Sequence, residues 1–143
     1  MLKDKGIVKF HVLHAFSFNE KKILKAAVAD LMKEEGKQFE SLDYIFCSDE
    51  YLLEINQTYL KHDDLTDIIT FDLSDGGELL KGEIYISVER VLDNSILFNT
   101  SFRDELARVV FHGALHLCGY KDKGTKDQAE MRKKEDYYLR RFS

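Results

Sequence analysis

Runs of apolar and polar residues divide this chain into short segments with a period of two and longer segments with a period near four. Alternating β-branched and aromatic residues are typical of strands, whereas apolar residues three or four positions apart are typical of amphipathic helices. The first pattern predicts four strands, at Ile7–Val12, Leu42–Cys47, Asp67–Phe71 and Glu83–Ser87. Ser74–Gly77, between the last two strands, has the composition of a turn.

The second pattern predicts five helices, whose ends are marked by capping residues and glycines because the chain contains no proline. The predicted helices span about residues 20–35, 49–60, 88–97 and 102–118, and a charged C-terminal segment after residue 125. Their predicted N-caps are Asn19, Ser48 or Asp49, Ser87, Ser101 with Asp104, and Thr125 with Gln128. The predicted core-facing residues are drawn from Ile23, Ala26, Ala27, Ala29, Asp30 and Leu31 in the first helix, and from Leu52, Leu53, Ile55 and Tyr59 in the second.

Four strands mixed with about five helices predict an α+β (α/β mixed) fold with one small sheet. The 143 residues are enough for one domain with its own core, so residues 1–143 are predicted to form a single domain. Ferredoxin-like and metalloenzyme-like arrangements of these elements both remain open at this point.

The composition narrows the class of protein. A formal net charge of −5 argues against a protein that coats nucleic acid non-specifically, because such binding depends on clustered Lys and Arg. From residue 119 onward there are eight Lys and Arg against five Asp and Glu, so this segment carries +3 and the first 118 residues carry −8. The basic C-terminal segment is either a solvated helix face or a surface for an anionic substrate.

The cysteine count and the N-terminus indicate the compartment. Two cysteines, Cys47 and Cys118, are too few for a disulfide framework and favour a reducing environment. No apolar run approaches the ~20 residues that a membrane span requires, and charges occupy the N-terminal positions where a signal peptide has its apolar stretch. A cytoplasmic location is therefore expected.

The most informative chemistry lies at the end of the fourth predicted helix. His112 and His116 are four residues apart, so both can direct a ring nitrogen at one point on the same helix face. Gly119 can end the helix in a left-handed turn, after which Asp122 can return over the helix as a third ligand. Zinc sites of catalytic type use three such protein ligands, so this segment predicts a metal site resembling the metal helix of zincins. The alternative is a pair of core histidines that bind backbone or carboxylate groups.

The residue after the first histidine restricts the reaction. Zincin proteases carry a glutamate there as the general base, whereas this chain has Gly113, so hydrolysis of peptides by that route is disfavoured. Cys118 is predicted to point away from the two histidines as a small apolar filler. His11, His14 and His62 lack ligand spacing and are predicted to be structural or solvated.

Three segments together resemble a known family. HGALHLCGY (112–120) with a ligand at position 122, INQTY (55–59) followed by LTDIITF (65–71), and GEIYI (82–86) are similar in order and spacing to motifs of the YbeY family of bacterial rRNA-maturation endoribonucleases. The resemblance covers nearly the whole chain. It implies a mixed sheet packed with helices, one Zn²⁺ per chain held by His112, His116 and Asp122, and cleavage of single-stranded RNA in 16S rRNA 3′-end maturation and ribosome quality control.

This chain differs from the family pattern at two positions. Most members have a histidine where this chain has Asp122, and many have an arginine where it has Leu60. An arginine there would stabilise the charge that develops on a phosphate under attack, and Lys61 or a basic residue of the C-terminal segment could replace it. Asn56, Thr66 and Asp67 are candidates to line the cleft, with Asp67 as a possible general base; the alternative for Thr66 and Asp67 is a turn entering the strand.

Three functions follow from these observations. The first is a metal-dependent endoribonuclease. The second is a ribosome-assembly binding factor in which zinc is mainly structural, which the acidic bulk and Leu60 favour. The third is a zinc-dependent hydrolase of a substrate other than RNA, which Gly113 disfavours.

Overall fold

A four-stranded mixed sheet lies at the centre of the computed structural model, which describes residues 6–62, 66–77 and 79–142. Its strands follow the order β1-β2-β4-β3, in which β1, β2 and β4 are parallel and β3 runs antiparallel to β4 at one edge. The strand bounds are β1 Ile7–Val12, β2 Phe39–Cys47, β3 Ile68–Asp72 and β4 Leu80–Ser87.

Both faces of the sheet are covered by helices. Leu42, Tyr44 and Phe46 alternate along β2 and join the main hydrophobic core with α1, α4 and α5. Cys47 and Ile69 belong to a smaller cluster with Leu52 of α2 on the opposite face. The helices are α1 Lys21–Glu34, α2 Asp49–Ile55 continued by a π-helical segment Asn56–Leu60, α3 Val88–Leu97, α4 Phe102–Leu117 and α5 Thr125–Phe142. An α+β class with a small mixed sheet, four strands and five α-helices in the described residues is therefore confirmed.

Three helix starts match their predicted caps. The side-chain oxygens of Ser48, Ser87 and Ser101 each accept a hydrogen bond from the backbone N–H three residues later. Each serine satisfies one of the donors that a helix leaves unpaired in its first turn. These caps depend on local sequence only, which is why the local pattern predicted them.

Two predicted caps are wrong. The N-cap of α1 is Glu20 rather than Asn19, and it makes no side-chain capping bond. Thr125 is already inside α5 as its first residue, so the predicted pair with Gln128 does not form; the N–H of Gln128 bonds to the carbonyl of Gly124.

The predicted core faces of two helices need correction. The buried residues of α1 are Leu24, Val28, Leu31 and Met32, whereas Ile23 is 56% exposed. The alanines that suggested the other face contribute little to burial, so the larger residues set the helix phase. Tyr59 is 64% exposed because the helix becomes π-helical before it, which rotates the positions that follow.

Two strands are longer than predicted. β2 and β4 start at Phe39 and Leu80, three residues before the predicted positions, and these two residues pair with each other. The extension is therefore a product of pairing between distant segments. Leu65, the first residue of the segment 65–71, lies outside the described residues. No helix in the described ranges is long and apolar enough to cross a membrane.

Candidate metal centre

The fourth helix carries the two histidines along the border of a cleft. α4 lies against β3 and β4, and Gly113 permits this contact, because a Cβ there would be 2.8 Å from Ile84 Cγ2 and 3.1 Å from Ile68 Cδ1. The helix therefore approaches the sheet closely at the position next to His112. His112 and His116 lie beside that buried face, and both side chains keep partial access to solvent. Gly113 is thus a packing residue as well as a position without a base.

The end of α4 brings the chain back over the histidines. Gly119 has φ of +110°, and its N–H donates to the carbonyl of His116 while the N–H of Tyr120 donates to that of Leu115. These two bonds form a Schellman motif, which reverses the chain after a helix. Asp122 follows the reversal, as predicted, and its Oδ2 lies 3.2 Å from His112 Nε2 and 3.1 Å from His116 Nε2.

The three side chains offer a donor set that can hold a metal ion. One ligand atom from each of His112, His116 and Asp122 lies within 4.8 Å of the others, and among the described residues these form the group able to hold a metal. With bonds of about 2.0–2.2 Å, ligand atoms in a tetrahedral zinc site are about 3.3–3.5 Å apart. The two measured nitrogen–oxygen distances are within about 0.2 Å of that range.

The protonation of His112 supports the same conclusion. Its Nδ1 is 2.6 Å from Glu135 Oε2, a carboxylate that can only accept, so Nδ1 carries a proton. In the neutral ring Nε2 then has a lone pair, which faces the Asp122 carboxylate at 3.2 Å. Two facing lone pairs repel each other unless a cation lies between them: a proton on the ring or a metal ion.

The pKa values of the two ligands reflect this arrangement. Burial acts to lower the pKa of His112, but the hydrogen bond to Glu135 and the charges of Glu135, Asp122 and Asp67 outweigh it, so the pKa is raised. Burial acts to raise the pKa of Asp122, yet its bonds with His116 and His112 prevail and the pKa is lowered. Both shifts show a site that stabilises positive charge at Nε2 and negative charge at Oδ2.

Glu135 also anchors this site to α5. Glu135 is 5% exposed, and its Oε1 accepts a hydrogen bond from Arg108 at 3.1 Å. Arg108 in turn pairs with Asp136 at 2.8 Å. A carboxylate that holds the second nitrogen of a ligand histidine sets both the tautomer and the orientation of the ring.

A cleft of about 670 Å³ opens in front of the two histidines. It runs between β3, the π-helical segment and the chain after α4. All three candidates predicted beside the metal, Asn56, Thr66 and Asp67, line it together with His112, His116 and Asp122. Leu60 and Lys123 line it as well, and Lys61 is absent from the described lining residues.

The local contacts of the three candidates differ. The Thr66 hydroxyl donates to the carbonyl of Ile68 at 3.3 Å, which is the turn contact considered as an alternative for this residue. The carbonyl of Asp67 accepts from the N–H of Ser87 at 3.0 Å, so its backbone is fixed just before β3. Burial raises the pKa of the Asp67 carboxyl, although the nearby charge of His112 opposes this. Asn56 is 3% exposed.

Cys118 lies away from the histidines. Its Sγ is 3.6 Å from Met32 Sδ, and burial raises the pKa of the thiol to about 11. A thiol of this kind is a poor nucleophile and a poor ligand at neutral pH. The prediction of a small filler at this position is supported by these contacts.

Sequence reasoning missed three residues of the site: Glu135, Arg108, and His62, which was expected to be structural or solvated but lines the cleft. A signal for Glu135 was present, because the buried residues of α5 are Met131, Glu135, Tyr138 and Phe142 and follow the spacing of one helix face. A carboxylate on an apolar face requires a partner. Arg108 and the cleft-lining His62 had no comparable signal.

Comparisons with known proteins point to one family. The sequence profile of the family described as Endoribonuclease YbeY matches residues 11–143. The Endoribonuclease YbeY of Flavobacterium psychrophilum is 53% identical over 115 residues, which cover 80% of this chain and 81% of that protein. The Endoribonuclease YbeY of Flavobacterium johnsoniae is 46% identical and covers 95% and 97%, respectively. The solution structure of TM1509 from Thermotoga maritima has a TM-score of 0.65 and 30% identity, and the match covers 95% of this chain and 89% of that chain.

Proposed function

Because this chain belongs to the YbeY family of endoribonucleases, hydrolases that act on RNA, we propose that it is a zinc-dependent nuclease for single-stranded RNA. We propose further that residues 1–143 act as one domain and that the substrate is the 3′ region of 16S rRNA, during ribosome maturation and quality control. The observation that carries the proposal is the group His112, His116 and Asp122, which opens directly into the cleft.

In this proposal His112 and His116 bind the metal through Nε2 and Asp122 binds it through Oδ2. When bound, zinc would polarise a phosphate oxygen as a Lewis acid. It would also lower the pKa of a water molecule bound to it towards neutral pH. Glu135 keeps the proton of His112 on Nδ1, so that Nε2 presents its lone pair to the cleft. The ligand set is therefore His₂Asp where most relatives are expected to have three histidines.

The other cleft residues would act on the RNA itself. Asp67, whose pKa is raised by burial, accepts the proton of the attacking group. Asn56 and Thr66 orient the phosphate through their polar side chains. Lys123 lines the same cleft beside Asp122 and provides a cation near the phosphate, in the region where Leu60 provides none.

The two cysteines support a proposal on the compartment. Cys47 and Cys118 are both free, and neither participates in a disulfide. We propose a cytoplasmic location, where thiols stay reduced and ribosomes are assembled.

The proposal is tested by single-turnover cleavage of a single-stranded RNA carrying the 3′ end of 16S rRNA. We expect cleavage by the zinc-loaded protein, loss of cleavage after a chelator is added, and recovery when zinc is restored. The same RNA annealed to a complementary strand should be resistant. His116→Ala should abolish cleavage, whereas the matched control His14→Ala, remote from the described cleft lining, should retain it. Equal cleavage with and without chelator would contradict the metal-dependent reaction.

A ribosome-assembly factor with a mainly structural zinc is the second candidate, and Leu60 at the cleft is the observation that favours it. This candidate predicts RNA binding without turnover and loss of folding, rather than of cleavage alone, when zinc is removed. Hydrolysis of a peptide is less compatible with the site, since Gly113 packs on Ile84 where a base would be required.

A further inference from the structure

A second cavity is also lined by His112. This cavity, of about 270 Å³, lies between the end of α3, residues 105–112 of α4 and the middle of α5. It shares His112 and Asp67 with the main cleft, so the two openings meet at the candidate metal centre. A strand of RNA whose phosphate lies at His112 therefore has room to continue past the metal in this direction.

The outer wall of this cavity contains an exposed aromatic ring. Phe98 is 58% exposed at the C-terminus of α3 and lines the cavity together with Asn94. The ring is therefore accessible to a ligand, and an exposed aromatic face can stack with a nucleotide base. The neighbouring Ile96 and Leu97 are exposed too, but they are not among the described lining residues.

The backbone holds this ring in a defined position. The N–H of Asn99 donates to the carbonyl of Ile96, and the N–H of Thr100 donates to that of Ser95. Asn99 has φ of +57°, so the end of α3 is a Schellman motif with Phe98 just before the left-handed residue. A ring on such a turn loses little conformational entropy when a ligand stacks on it.

Two arginines occur in the same cavity, and they are in different states. Arg108 is engaged by Glu135 and Asp136 at 3.1 and 2.8 Å. Arg132 is 61% exposed, and its nearest carboxylate contact, to Glu135, is 3.9 Å. Its charge is thus accessible to an incoming anion. An aromatic ring and an accessible cation that line one cavity are the combination with which proteins bind single-stranded nucleic acid.

We propose that Phe98 and Arg132 form a subsite for the nucleotide adjacent to the cleaved phosphate, with the base stacked on Phe98 and the backbone phosphate paired with Arg132. The inference rests on the proposed function and deepens it. A duplex keeps its bases stacked inside the helix, whereas an unpaired strand can turn one base outward. The subsite therefore explains a preference for single-stranded RNA by a contact that a duplex cannot make.

Single-turnover kinetics of the zinc-loaded full chain test the aromatic part. We expect Phe98→Ala to raise the enzyme concentration for half-maximal cleavage of a single-stranded RNA about tenfold, with little change in the maximal rate. Phe98→Tyr, which keeps an aromatic face, should restore it. Leu97→Ala is the matched control, since it removes an apolar side chain of the same helix end outside the cavity. An unchanged half-maximal concentration for Phe98→Ala would overturn the proposal.

A fluorescence measurement reports the stacking directly. The chain contains no tryptophan, so Phe98→Trp introduces a single indole. Rapid mixing with RNA should quench its emission before cleavage, and an RNA with an abasic site near the cleavage point should quench less. Leu97→Trp should respond weakly to both RNAs. Equal quenching in the two variants would contradict stacking at Phe98.

The phosphate contact is tested through its salt dependence. Arg132→Gln should reduce the slope of log affinity against log salt by about 0.7, the value for one phosphate contact on a single strand. Lys133→Gln, which alters the next and exposed residue of α5, is the control with an unchanged slope. An unaltered slope for Arg132→Gln would remove this residue from the subsite.

The outcomes separate this inference from the proposed function. If the wild-type protein does not cleave RNA under any metal condition, the proposed function fails. If it cleaves, and Phe98→Ala cleaves with the same half-maximal concentration, only the subsite fails. If the wild-type protein self-associates, and both Leu97→Ala and Phe98→Ala weaken that association with unchanged RNA kinetics, the end of α3 is a protein contact and the subsite is overturned.

Discussion

The position of one proton on His112 controls what the candidate centre can bind. Glu135 holds that proton on Nδ1, so Nε2 is the nitrogen that faces Asp122 and can take a second proton or a metal ion. The site is thus prepared for a cation before any cation arrives. At the scale of single residues, two positions are informative. Asp122 is the candidate ligand that differs from the expected family pattern, and Glu135 is the carboxylate behind His112.

Asp122→Ala should lower zinc stoichiometry nearly as much as His116→Ala, because Asp122 Oδ2 is within 3.2 Å of both histidine nitrogens. Metal content of the purified variants, measured by atomic emission, checks this. Asp127→Ala removes a nearby carboxylate at the start of α5 and should leave the stoichiometry near one per chain. Full zinc retention by the Asp122 variant would show that another group is the third ligand.

Glu135→Gln should weaken zinc binding by about 10- to 100-fold, since the neutral amide no longer fixes the Nδ1 proton of His112. Competition against a chromophoric chelator measures the affinity, and the exposed Glu130→Gln on the same helix is the control. Arg108 keeps its pair with Asp136 in this variant, which limits the loss of stability. An unchanged affinity would mean that Glu135 serves only the packing of α5.

At the scale of elements, the site depends on where α4 ends. The Schellman motif at Gly119 reverses the chain and places Asp122 beside the two histidines. The conformation of this one turn therefore brings the third candidate ligand to the other two. Gly113 sets the distance between α4 and the sheet in the same helix. The two glycines therefore have different roles. Gly119 sets the direction of the chain after α4, and Gly113 sets how closely α4 approaches the sheet.

Gly119→Ala should destabilise the protein by about 1–2 kcal/mol, because a Cβ is unfavourable at positive φ. It should also weaken zinc binding by the folded protein, since the loop that carries Asp122 must adjust. Gly36→Ala is a matched control: Gly36 ends α1 with φ of +74° and has free space around it. Denaturant unfolding should give a similar loss for both variants, while chelator competition separates them. Equal zinc affinities would show that the turn does not position Asp122.

At the scale of the whole molecule, a largely buried carboxylate joins distant parts of the chain. Glu35, at the end of α1, accepts hydrogen bonds from Tyr120 at 2.8 Å, from Lys134 at 3.2 Å and from Tyr138. Burial acts to raise the pKa of Glu35, but these bonds prevail and the pKa is lowered from its usual 4.5. Glu35 thus fixes α1, the chain after α4 and α5 relative to one another.

The stabilisation by Glu35 should be lost in acid. A carboxyl with a lowered folded pKa stabilises the protein fully above its unfolded value, near 4.5, and loses this contribution as pH falls through the folded pKa. Glu35→Gln should therefore reduce the free energy of unfolding at pH 7 by about 1–3 kcal/mol, and the gap to wild type should shrink below about pH 4.5. Urea unfolding across this range measures it, with the exposed Glu50→Gln as control. A gap that is constant with pH would contradict an ionised, hydrogen-bonded Glu35.

Much of the fold was predictable because it depends on neighbours in the sequence. The alternating runs predicted all four strands, and the serine caps of α2, α3 and α4 were correct. The starts of β2 and β4 were wrong because Phe39 and Leu80 become strand residues by pairing with each other. The phase after Asn56 was wrong because a π-helical segment is a consequence of packing and has no simple sequence signal.

The sequence by itself determined the three candidate ligands. A spacing of four places His112 and His116 on one helix face, and Gly119 permits the reversal that returns Asp122, so all three follow from the local geometry of one segment. Only the tertiary structure decided what else surrounds them: Glu135 behind His112, Arg108 behind Glu135, and Phe98 in the wall of the second cavity. These residues come from separate elements, whose relative positions are set by burial in a common core and by strand pairing. Such positions depend on contacts between distant segments, which a periodic pattern along one segment does not contain.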